Sequence, residues 1–454
     1  MPVEDLPNEL VDHIFDYAPL GLSDVVRASH VSARWRRIAH AHPTFCRYID
    51  FVYDANMPHN AELCSRLRTQ VGYSQRQLHM NVRYTGDDDS VLETIVSVLK
   101  ENMHRVLSLG LTLSVRHRHR ILVALDVPAP QLTWLRVQAY EPVSIGRQTV
   151  ILPPVLYGAG GKLETLTLYN VDFPIDPGDT LQFIKDLTLH NYRPTLRREV
   201  ETAISACPQL RRLDFSLNST HGAARYMDSL VRDVMHIPAV ARLRDVGLHS
   251  PMYIENSYDH IIPHLTGPLH LQLSDSKLEP KPSGYNIVLV EQSTGRTRRL
   301  GYPSFSVLSM AADRFAQLDL AARIVQLSVW MRLLGVPASL FPTLPRLEVF
   351  VIHLHAEYTI DEVYRPPVRS CAINVDDDTS LLPNMPSCPS LRKIAIHGRG
   401  QHCTAGWLSK FVATSLKFGT TSGPGAPLEL ELGGVSLVGD PRVLHSYFSD
   451  IRPS

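Results

Sequence analysis

The sequence predicts an α/β chain in which a short module of three helices precedes a long, irregular repeat solenoid with a parallel, concave sheet. Three observations predict it. Helical apolar spacing fills roughly the first fifty residues. Further on, a phrase of the form Pro-x-Leu-x-x-[Leu/Ile/Phe]-x-[Val/Ile/Phe] returns four times. The length of 454 residues, 44% of them apolar, supplies core for two or three domains.

The helices follow in order. Leu10, Ile14 and Tyr17 stand at helical spacing, Pro7 suits the first turn, and Ala18-Pro19-Leu20-Gly21 ends the segment. Ser23 can cap a second helix through Val25, Val26 and Ala28. Ser32 can cap a third that sets Val31, Trp35 and Ile38 on one face and Arg34, Arg36 and Arg37 on the other. So small a module buries too little surface to stand alone, and part of its apolar face calls for a partner.

The ordered set Leu6-Pro7-x-Glu9-Leu10, Ile14-Phe15, Val31-x-x-x-Trp35-Arg36-x-Ile38-Ala39 and Pro43-x-Phe45 resembles an F-box. Ala18 and Phe45 depart from it, standing where that family usually has leucine and often tryptophan. The resemblance implies docking on the Skp adaptor of a cullin-RING ubiquitin ligase, with Leu6, Pro7, Leu10, Ile14, Phe15, Val31, Trp35 and Ile38 as the adaptor contacts.

The repeated phrase reads Pro130-Gln131-Leu132-x-x-Leu135-x-Val137, Pro208-Gln209-Leu210-x-x-Leu213-x-Phe215, Pro345-Arg346-Leu347-x-x-Phe350-x-Ile352 and Pro389-Ser390-Leu391-x-x-Ile394-x-Ile396. Looser copies lie around Leu109, Leu166, Leu187, Val246 and Leu327. This resembles the Leu-x-x-Leu-x-Leu signature of leucine-rich repeats. Such strands point alternate residues into a shared core and the residues between them to solvent, so stacking removes the exposure of each. The asparagine that usually follows the strand is mostly absent. Together the two resemblances look like the F-box/leucine-rich-repeat proteins of mushroom-forming fungi. They divide the chain into a module at 1–50, a linker with first repeat elements at 51–105, and a repeat-like solenoid at 106–454. A hairpin insertion is expected near 274–305, where the pattern lapses into a polar, proline-rich stretch followed by the alternating Asn286–Glu291.

The catalytic motifs sought are missing: there is no phosphate-binding Gly-x-x-x-x-Gly-Lys-Ser/Thr loop, no Gly-x-Ser-x-Gly elbow and no His-Glu-x-x-His. Gly158-Ala159-Gly160-Gly161 leads into a strand, whereas a phosphate loop opens a helix. The six cysteines form no Cys-x-x-Cys pair, and no metal or cofactor is called for. Cys207 and Cys388 both precede the proline of the phrase and read as small packed residues in its turn. The acidic runs Asp87-Asp88-Asp89 and Asp376-Asp377-Asp378 read as helix starts. The basic clusters Arg116–Arg120 and Arg296/Arg298/Arg299 read as a helix start and a hairpin tip, with capture of an acidic segment as the alternative.

When the copies are aligned, the residue after the second strand position is His190, His249, His353 and His397 in four, and Trp330, Tyr169 and Gln138 in others. The four histidines, Tyr169 and Trp330, with Trp134, are the candidate substrate contacts: an imidazole- and aromatic-rich strip for a peptide.

Balanced charge, 45 basic against 45 acidic residues, argues against a nucleic-acid or anionic-membrane partner. Apolar runs are too short to span a bilayer, and the acidic N-terminus lacks a signal core. A soluble protein of the cytoplasm and/or nucleus is expected. The reading is then a non-enzymatic substrate-recognition subunit, bound to a Skp-type adaptor and through it to a cullin. The alternatives are a Skp-bound scaffold without ligase function and, more remotely, an α/β enzyme.

Overall fold

The computed structural model describes residues 6–16, 27–41, 47–54, 60–73, 77–114, 117–122, 125–140, 162–173, 181–190, 196–216, 224–249, 257–275, 285–302, 308–354, 384–416 and 427–453. The architecture is mixed α/β with mostly parallel strand pairing, in two compact units that meet in sequence at Phe215 and Ser216. The run at 376–378 lies outside the described residues.

The first unit begins with helices Asn8–Asp16 and Ala33–Ala41. Val11 and Ala39 are fully buried between them, with Leu6, Ala28, Trp35 and Ile38 packed around. Ser32 caps the second helix, its Oγ accepting from the Trp35 N–H at 3.2 Å. Arg34 binds the two segments, donating from Nε to Asn8 Oδ1 at 2.8 Å and from Nη2 to the Leu6 carbonyl.

Strands β1 (Tyr48–Tyr53), β2 (Leu78–Tyr84), β3 (Val106–Ser114), β4 (Trp134–Tyr140), β5 (Thr165–Tyr169), β6 (Asp186–His190) and β7 (Arg212–Ser216) follow in chain order, and β1 to β6 pair in parallel. Alternation places Leu166, Leu168, Leu187 and Leu189 in the core at 1% exposure or less. Helix Asp89–Asn102 buries Val91, Leu92, Ile95, Val98 and Leu99. Asp88 caps it, accepting from the Ser90 and Val91 N–H groups at 2.8 and 3.2 Å. The run Asp87-Asp88-Asp89 is thus a helix start, and it also answers the basic cluster: His117 meets Asp87 at 3.1 Å, and Arg120 pairs with Asp89 and Glu93.

The second unit holds β8 (Asp245–His249), β9 (Leu269–Asp275), β10 (Tyr285–Glu291), β11 (Thr297–Tyr302), β12 (Ile324–Trp330), β13 (Val349–His353), β14 (Lys393–Thr404), β15 (Leu428–Val438) and β16 (Phe448–Pro453). Their spatial order is β8-β11-β10-β9-β12 and onward to β16, so a hairpin sits inside the sheet. Strand β10 runs antiparallel to both of its neighbours; the remaining pairings are parallel. The hairpin closes at Gly295, whose φ of +67° suits a residue without Cβ.

Two buried charges fix this insertion. Burial would push the Glu291 carboxyl up, but the Thr294 hydroxyl, the Gly267 and Thr266 N–H groups and the Thr266 hydroxyl all donate to it and hold it down at about 2. Arg298 is fully buried and donates to the carbonyls of Ala241 at 3.0 Å and Leu243 at 3.2 Å. Arg299 pairs with Asp245 at 3.2 Å. The Arg298/Arg299 cluster is therefore part of the fold's own bonding.

The four proline-led phrases share one turn. In each, the leucine N–H donates to the carbonyl of the residue before the proline: Leu132 to Ala129 at 3.1 Å, Leu210 to Cys207 at 3.0 Å, Leu347 to Leu344 at 3.2 Å and Leu391 to Cys388 at 3.2 Å. Proline's fixed φ suits the second position of such a turn. The next N–H then reaches a backbone carbonyl at or just before the preceding strand, as from Thr133 to Leu107 at 2.9 Å and from Arg211 to Lys185 at 2.8 Å. One short phrase thus reverses the chain and starts the next strand. Cys207 and Cys388 fill the turn's first position, each no more than 1% exposed.

Candidate functional site

Among the described residues, five large apolar side chains are exposed, and three belong to the N-terminal helical region: Leu10 at 48%, Ile14 at 39% and Val31 at 62%. Pro7 is also exposed, while Leu6, Trp35 and Ile38 are half-buried against the Val11/Ala39 core. The predicted contacts therefore divide into an outward set and a set that supports it. The side chain of Phe15 lies outside the described residues.

The second candidate surface is the strand face turned away from the core. In the first unit the register sets its residues in three rows. Tyr48, His79, Ser108, Trp134, Thr165 and Asp186 form one; Asp50, Asn81, Gly110, Arg136, Thr167 and Thr188 the next; Val52, Arg83, Thr112, Gln138, Tyr169 and His190 the third. Tyr169 and His190 stack with centroids 3.6 Å apart and planes 8° from parallel. The Arg136 guanidinium lies over the Tyr169 ring, 4.6 Å from its centroid. A Cβ added at Gly110 would stand 2.8 Å from Asn81 Oδ1 and 3.7 Å from Trp134 Cζ3, so both side chains lean over that glycine. Arg136 therefore sits against Tyr169, which is itself stacked on His190, and beside Gly110, over which Trp134 leans. Sequence reasoning missed Arg136 because only the last outward position of each strand was aligned. The middle position held the signal, with arginine where the neighbouring strands carry glycine and threonine.

In the second unit the row after the second core position reads His249, Gly301, Asn286, Ser274, then Trp330, His353, His397 and Gly433. Trp330 and His353 rings lie 6.4 Å apart, and His353 and His397 meet edge-on at 5.5 Å. The His397 ring covers Gly433, where a Cβ would come within 2.7 Å of its Cδ2. Glu431 lies 3.9 Å from His397 Nε2 and pairs with Lys393. His249 stands apart from this group, separated by the inserted hairpin and leaning over Gly301. Beside the group, His270 bonds Ser328 Oγ at 2.7 Å, and burial with the nearby His353 pushes it down to about 4.

Among the described residues, no three histidine, cysteine or acidic side chains group as a metal site would require. No described helix is long and apolar enough to cross a membrane. Burial pushes the Cys207, Cys388 and Cys403 thiols up to about 12, which makes them poor nucleophiles.

No curated protein matches the chain. Residues 3–51 match the F-box-like family model, a span that takes in both N-terminal helices and the outward-facing Leu10, Ile14 and Val31. The chain therefore opens with an F-box-like domain.

Proposed function

We propose that this chain is the substrate-recognition subunit of a Skp/cullin/F-box ubiquitin ligase. One observation carries the reading: among the described residues, the N-terminal helical region of the F-box-like domain leaves Leu10, Ile14 and Val31 in solvent around a small Val11/Ala39 core, an apolar surface suited to an adaptor subunit. The proline-led turn and the parallel Leu-x-Leu strands support a degenerate leucine-rich-repeat solenoid whose open strand face holds a protein substrate. Catalysis then belongs to other subunits. This chain acts by placement, holding a target at a fixed distance and raising its effective concentration near the ubiquitin-charged enzyme inside the cell.

The test is affinity purification of the full chain and of a form lacking residues 1–51. The full chain should recover a Skp-type adaptor with a cullin, and the truncated form should lose both while keeping the substrate. Recovery of the adaptor by the truncated form would overturn the assignment.

A further inference from the structure

Among the described residues, the strand face of the first unit contains a cation without a counter-charge. Arg136 is half-buried in the middle of that face, and Nη2 donates to Gln138 Oε1 at 3.2 Å. Its Nε is shielded from solvent and has no acceptor, and no carboxylate lies within ion-pair distance among the described residues. This is unlike Arg120, Arg212 and Arg299, each of which meets an acidic side chain. The two acidic residues in the three rows, Asp186 and Asp50, stand two and three strands from Arg136, roughly 10 and 14 Å at about 4.8 Å per strand. Asp50 already accepts from Asn81 at 2.8 Å.

What surrounds Arg136 is suited to an anion. The register flanks it with Gly110 on one side and Thr167 on the other. Tyr169, stacked on His190, holds the guanidinium from one side. The flanking strand positions in the adjoining rows, Thr112 and Thr165, carry hydroxyl groups, and Ser108, whose hydroxyl meets His79 at 2.7 Å, adds no negative charge. Withdrawing a guanidinium from water without pairing it is unfavourable, and an incoming oxyanion offsets that by accepting paired N–H bonds in the planar geometry arginine presents.

We infer that Arg136 is the centre of an anion subsite that receives a phosphate or carboxylate side chain of a bound peptide. Trp134 and Tyr169 form apolar walls for the residues on either side of it. The inference rests on the strand face being the substrate surface, and adaptor binding through Leu10, Ile14 and Val31 is read separately.

The experiment probes an array of random peptides fixed at one central residue as phosphoserine, glutamate or serine with labelled full-length chain. Wild-type retention should be at least tenfold greater on the phosphoserine or glutamate peptides than on serine, and the two anionic arms tell phosphate from carboxylate. Arg136→Gln should fall to the serine level, with Arg136→Lys between. Millimolar inorganic phosphate should displace wild-type chain from the anionic peptides, a readout independent of how the variants fold. Equal wild-type retention on all three, or an unchanged preference in Arg136→Gln, would overturn the subsite. Loss of the Skp-type adaptor with the peptide preference intact would instead count against the ligase assignment alone.

Discussion

Replacing Leu10, Ile14 and Val31 together by alanine tests whether the outward apolar set is a docking surface. Their exposures of 48%, 39% and 62% leave uncovered about one and a half side chains' worth of apolar surface. Full burial of one such side chain contributes about 1.5–3 kcal/mol, so covering all three contributes about 3 kcal/mol. That corresponds to a weakening of roughly 100-fold in Kd for the Skp-type adaptor. The same exposures predict little effect on folding, since the buried contacts belong to Val11 and Ala39. Calorimetric titration with purified adaptor gives the first quantity, and thermal unfolding followed by circular dichroism gives the second. An unchanged Kd would refute the docking argument. A drop in Tm of many degrees would show that these side chains belong to the core after all.

Glu291→Gln should destabilise the second unit by about 2–4 kcal/mol, because a neutral amide cannot accept all four donors that now meet the carboxylate. The group's value is depressed from 4.5 to about 2, so its stabilisation is fully present above about pH 4.5 and disappears as pH falls through about 2. Urea unfolding at pH 7 and pH 2.5 should therefore show a smaller gap between variant and wild type at the lower pH, and an equal gap would contradict the account. Cys207, Cys388 and Cys403 should resist a thiol reagent at pH 8 until denaturant is added, whereas partly exposed Cys64 reacts in the native chain. Mass-spectrometric labelling checks this, and fast native labelling of Cys388 would count against its buried turn position.

The helices around Val11 and Ala39 and the Leu-x-Leu strands were legible because each obeys a period visible within ten residues. The pairing of Asp87 and Asp89 with His117 and Arg120 was not. Each run has a plausible local role, and the contact is made only when β3 carries the chain across some thirty residues. Arg298 was equally opaque: alternation along the hairpin turns it inward, where the carbonyls of Ala241 and Leu243 replace water. Arg136 lay inside a phrase already noticed for its leucines. Its significance depends on the lack of a nearby carboxylate among the described residues, which requires the register of six strands to establish.

The inserted hairpin also has a consequence for how the chain is made. Between β5 and β6 parallel neighbours arrive quickly, as when Leu187 pairs with Leu166. Strand β8, in contrast, pairs Asp245 with Thr297, and β9 pairs Leu271 with Leu327, each more than fifty residues later. At a synthesis rate of about 5–20 residues per second, the edge of β8 that receives β11 stays open for roughly 3–10 s on the ribosome. During that interval its unpaired backbone groups can template pairing with another nascent chain. The local meander of β9, β10 and β11, closed by the Glu291 knot, is what ends the exposure.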